Sequence, residues 1–161
     1  MVSTMDPLSI TAGVVGLLGS TLGIGVTLRQ FIHGAKEAST VVNAMISDVK
    51  ALRKVLESME VMFEEMDSER TETGAIGTHW KNLLTALQDG QTCLASLEKL
   101  LQETTKEVKV LDTLRRQARL KSAMDQITLY RQEVQTYKDA LHLSLQTITL
   151  YVLQSLFRRR S

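Results

Sequence analysis

The chain has 161 residues, 43% hydrophobic and 23% charged, which is the material of one domain with a buried core and excludes disorder throughout. One proline, three Phe, three Tyr and one Trp leave little turn or strand vocabulary, so the fold class is all-α rather than a sandwich or barrel. A formal net charge of +1 gives no bulk attraction to nucleic acid, and a lone Cys93 excludes a disulfide framework and suits a reducing, cytoplasmic compartment.

The first element spans residues 7–30. No ionisable side chain occurs between Asp6 and Arg29. The stretch instead holds ten aliphatic residues: Leu8, Ile10, Val14, Val15, Leu17, Leu18, Leu22, Ile24, Val26 and Leu28. A secretory signal is excluded because no Lys or Arg precedes the apolar run and no small-x-small cleavage site follows it. The length suits a membrane span, but Gly, Ser and Thr dilute it. Ten aliphatic residues at about −0.3 to −0.6 kcal/mol each supply about −3 to −6 kcal/mol, so insertion is borderline and conditional. On a helix, Gly13, Gly16, Ser20, Gly23 and Thr27 recur at steps of three and four and form one small-residue stripe, with Gly19 and Gly23 adding a G-x-x-x-G pair. In lipid such a stripe lets backbones approach closely, and the aliphatic residues then face hydrocarbon. In a soluble helix each glycine costs about 0.8–1 kcal/mol relative to Ala, which suggests another use for them. If the segment spans, Arg29 and Lys36 keep the rest of the chain on the cytoplasmic side.

A second helix is expected over 35–66, where Ala38, Val42, Met45, Val49, Leu52, Leu56, Met59, Phe63 and Met66 keep a heptad. The polar, glycine-containing stretch DSERTETGAIGT over 67–78 reads as a loop. A third helix over 78–106 carries Trp80, Leu83, Leu87, Leu94, Leu97, Leu101 and Val108 on its frame, with Gly90 on the same stripe as a possible bend. The basic piece LDTLRRQARLKS reads as a connection, and Ser122 with Asp125 as the capping box of a last helix over 122–157. That helix carries Ile127, Tyr130, Val134, Tyr137, Leu141, Ser144, Ile148 and Tyr151. Four helices of this kind make an antiparallel bundle in a single domain, residues 1–161. The terminal Arg158, Arg159 and Arg160 lack a stop signal, which suggests a domain cut from a longer protein.

Catalysis has no support. No Gly-Lys-Ser or Gly-Lys-Thr follows the glycines, Leu28 stands where a dinucleotide fingerprint needs a third glycine, and no strand precedes them. His33, His79 and His142 lack metal-pair spacing, and Cys93 has no base nearby in sequence and reads as a small buried residue. Neither an enzyme nor a cofactor is expected. Two basic clusters suit anionic lipid instead: Arg115, Arg116, Arg119 and Lys121, and the terminal three arginines.

The segment MDPLSITAGVVGLLG, residues 5–19, resembles the opening of the fungal N-terminal HeLo-like (HELL) cell-death domain family. QTCLASLEKLLQ resembles that family's middle helix, and RLKSAMDQITLYRQEVQTYKDALHLSLQ its last block. The resemblance implies an all-helical domain similar to those of fungal heterokaryon incompatibility proteins and of the animal necroptosis executioner. It implies a domain that is cytoplasmic at rest and reaches the plasma membrane on activation. There it permeabilises through residues 8–28 after self-association, triggered by an upstream NOD-like receptor or amyloid-signalling module. The other open reading is a helical signalling adaptor that binds protein partners without touching lipid.

Overall fold

The computed structural model describes the backbone of residues 7–65 and 76–161, and side chains over 10–64 and 78–161. Among the described residues it is an all-α bundle of four helices without strands: α1 Pro7–Gly34, α2 Ser39–Glu65, α3 Ile76–Val108 and α4 Thr113–Arg160. One 3-10 turn, Lys36–Ala38, joins α1 to α2. Met66 and most of the 67–78 loop lie outside the described residues.

Heptad seams drive the helices together. Along α2 and the turn before it, Ala38, Val42, Met45, Val49, Leu52, Leu56 and Met59 are all buried, with Phe63 partly so. Along α3 the same holds for Trp80, Leu83, Leu87, Leu94, Leu97, Leu101 and Val108. Gly90 does not interrupt α3; it is a seat for α1, because a Cβ there would stand 3.2 Å from a Leu17 methyl. Thr104 lies buried in this seam, and its hydroxyl donates to the Leu100 carbonyl at 2.7 Å.

The last helix departs most from expectation. It begins at Thr113, not near Ser122, and the basic piece read as a connection is its opening turns. The cap is Asp112, whose carboxylate accepts from the Arg115 N–H at 3.0 Å. Ser122 is a helix-interior residue that accepts from the Gln126 amide at 3.3 Å. Leu, Arg, Gln and Ala are strong helix formers, and buried Leu120 and Ala123 carry the seam upstream of Ile127, so nothing favours a break there. α1 likewise runs on to Gly34 rather than stopping at residue 30, because Phe31 is buried on the same seam.

α1 packs on α2 and α3, and α4 packs on the same two, so α1 and α4 occupy opposite corners of a square. Consecutive helices run antiparallel, yet two sides of the square pair parallel helices. On one, Gly13 meets Leu87 and Thr27 meets Glu98. On the other, Arg131 bonds Asp48 at 2.6 Å and Thr149 meets Met62. One end of the bundle therefore gathers the start of α1, the end of α2, the start of α3 and the late part of α4. At the opposite end Arg116 donates to the Gly34 carbonyl at 2.9 Å and pairs with Glu37 at 3.8 Å, while Arg119 pairs with Glu107.

Candidate functional site

The chain's most unusual segment is a corner helix of the bundle, and its inward seam is formed by Ile10, Val14, Leu17, Thr21, Ile24, Leu28 and Phe31. Those positions alternate in steps of four and three, one residue out of phase with the small-residue stripe. Thr21 sits in the seam at no hydrogen-bond cost, since its hydroxyl donates to the Leu18 carbonyl at 2.7 Å. α1 is thus part of the bundle core. Of the aliphatic residues expected to meet lipid, Ile10, Val14, Leu17, Ile24 and Leu28 are buried against α2 and α3, and Leu18 is half-buried. Leu8 lies outside the described side chains. Val15, Leu22 and Val26 face solvent, at 53%, 55% and 51% exposure, on a face with no charge before Arg29.

The small-residue stripe turns toward α3 and divides in two. Gly13 and Gly16 are in contact: an added Cβ would stand 3.3 Å from a Leu87 methyl at the first and 2.5 Å from the Gln91 amide nitrogen at the second. Gly19 and Gly23 have nothing within 4 Å of an added Cβ. They border an open groove of about 390 Å³ between α1 and α3, whose other side is Leu94, Ala95 and Glu98. Ser20 and Thr27 return their hydroxyls to the Gly16 and Gly23 carbonyls at 3.1 and 3.2 Å, which keeps the stripe's polar atoms satisfied within α1.

The two basic clusters differ in what they have to spare. Arg116 and Arg119 tie the α1–α2 turn and the end of α3 to the start of α4, and Arg115 pairs with Asp112 at 3.7 Å, leaving Lys121 exposed beside them. Arg158, Arg159 and Arg160 are exposed and take part in no ion pair among the described residues.

A second concave feature lies between α3 and α4, where Asp89, Cys93, Ser96, Tyr130, Glu133 and Tyr137 line a shallow pocket of about 260 Å³. Burial, followed by a hydrogen bond and the charge of Glu133, pushes the Cys93 thiol up to about 12. Burial raises the Tyr130 and Tyr137 hydroxyls too, with the Cys93 and Glu133 charges behind it. All three groups are held protonated at neutral pH, the opposite of what a nucleophile needs. His33, His79 and His142 are exposed, and no His, Cys, Asp and Glu group fit for a metal occurs among the described residues.

Among the described residues two helices hold an 18-residue stretch apolar enough to cross a membrane by length and composition: one within residues 10–34, with mean hydropathy 1.7, and one within α4, with 1.2. Sequence reasoning identified the first and missed the second, whose signal is the apolar, acid-free run after Asp139. No curated protein and no solved structure matches the chain. The match is instead to a family model that spans residues 5–157, nearly the whole length, and the chain belongs to that family, the pigment biosynthesis cluster protein PigL N-terminal domains.

Proposed function

We propose that the bundle is a HeLo-like, membrane-targeting cell-death execution domain that permeabilises the plasma membrane through α1 after self-association. The observation that carries this reading is the outer face of α1, where Val15, Leu22 and Val26 stand in solvent and no charge interrupts residues 7–28. A helix that only filled a bundle corner would be polar on that side. Gly19 and Gly23 support the reading as well. Neighbours inside the bundle do not require them, whereas close helix approach in lipid does.

Magnitudes say why such a domain rests closed. Ile10, Val14, Leu17, Ile24, Leu28 and Phe31 are each worth about 1.5–3 kcal/mol when buried, so freeing α1 costs on the order of 10 kcal/mol before the bared faces of α2 and α3 are counted. Insertion returns about 3–6 kcal/mol. The monomer therefore keeps α1, and release needs the added contacts of an assembly or of an upstream receptor or amyloid-signalling module. The domain is cytoplasmic at rest, performs no catalysis and needs no cofactor. Its partners are anionic lipids and further copies of itself.

Dye release from vesicles of mixed phosphatidylcholine and phosphatidylserine tests the reading. Val15→Glu with Leu22→Glu alters only the outer face, so the fold should persist by circular dichroism while leakage falls at least tenfold. Undiminished leakage from that variant would remove α1 from the mechanism. The same exposed face also favours the adaptor reading, because a partner helix can dock there without unfolding α1. In that case a folded wild type releases no dye even when oligomerised.

A further inference from the structure

Over residues 121–139 the outward face of α4 is mainly polar, presenting Lys121, Asp125, Thr128, Gln132 and Asp139 to solvent with one large apolar side chain, Leu129, exposed among them at 59%. Past Asp139 the same face changes character. Leu143, Leu150, Leu153 and Phe157 fall on one stripe at steps of seven, three and four, exposed at 65%, 60%, 46% and 70%. Buried Leu141 and Ile148 mark the opposite side of the helix, so its C-terminal third is apolar on both sides. The apolar window of α4 is only 11% buried inside the bundle, against 28% for that of α1. No acidic residue follows Asp139, and the stripe ends at three arginines without ion-pair partners among the described residues.

We propose that this stripe is a docking surface for an anionic lipid bilayer, with the outer face of late α4 lying in the headgroup region and Arg158, Arg159 and Arg160 on lipid phosphates. An apolar stripe flanked by cations and free of acids is the composition of a helix that lies in an interface. A second copy is a poorer occupant, since parallel pairing would set three arginines against three. The bundle's topology gives the surface a consequence. Late α4 and the start of α1 share one end, so docking brings the inserting helix to the bilayer before it is released. The inference rests on the membrane reading of this domain but adds a separate surface, and the two fail separately.

Co-sedimentation with vesicles of phosphatidylcholine alone, or mixed with phosphatidylserine, tests it on the full chain. The wild type should bind the mixed vesicles and lose binding as salt rises. Arg158→Ala with Arg159→Ala and Arg160→Ala should weaken binding roughly a hundredfold, and Leu150→Glu with Leu153→Glu comparably. All these positions are exposed, and retained circular dichroism will show that the bundle is intact. Val15→Glu with Leu22→Glu should still bind while failing to leak dye. Wild-type binding by either α4 variant, or equal binding to neutral vesicles, would overturn the assignment whatever α1 does. So would a lipid-free dimer abolished by Leu150→Glu with Leu153→Glu, which would give the stripe to a second copy.

Discussion

Gly19 and Gly23 are the residues whose identity the folded bundle explains least. Each sits in a helix interior, where Ala is favoured by about 0.8–1 kcal/mol, and each has open space where a Cβ would go. Gly19→Ala and Gly23→Ala should therefore raise stability by about 0.5–1 kcal/mol apiece in chemical denaturation. Gly13→Leu should do the reverse, because its side chain meets Leu87, which is fully buried and cannot yield. A stabilising Gly23→Ala that also weakens leakage would tie the glycine to activity, as in other trade-offs between stability and function. At this scale the sequence was only partly legible. Glycines at three- and four-residue steps pointed to close packing, but Gly13 and Gly16 pack while Gly19 and Gly23 do not. That difference depends on where α3 lies, which no local pattern encodes.

Among the elements, α2 and α3 were legible nearly residue by residue, because each has a single seam of large side chains at heptad spacing. α1 was legible as a helix, but which of its faces the bundle buries was not. Its small residues and its large ones both follow three-four steps, and the large ones hold the bundle together. α4 was misread at its start because a Ser-x-x-Asp signature outweighed Asp112, although Asp112 precedes a run of good helix formers. The place of α1 has a direct test. α2 and α3 hold opposite corners, so each meets α1 on one side and α4 on the other. Removing residues 1–34 should leave helical far-ultraviolet dichroism but abolish the cooperative thermal transition and expose dye-binding apolar surface. A truncated chain that melts as sharply as the full one would show that α1 is dispensable to the core.

Viewed whole, the molecule is asymmetric along its length. One end is tied by Arg116 on the Gly34 carbonyl and Glu37, and by Arg119 on Glu107. The other end carries the exposed apolar turns of α4 and the start of α1. The fold class and the single bundle could be read from composition and periodicity, whereas the square with two parallel sides could not, because heptad seams state that a helix is buried without naming its neighbour. In the proposed mechanism α1 must leave α3 to act on membranes. A Cβ placed on Gly13 stands 3.7 Å from the Leu87 Cβ, within the range of about 3.5–4.5 Å that a disulfide spans. The most direct measurement is dye release from anionic vesicles by Gly13→Cys with Leu87→Cys in a Cys93→Ala background, oxidised and then reduced. The oxidised form should be silent and reduction should restore leakage. Equal leakage from the two forms would contradict the claim.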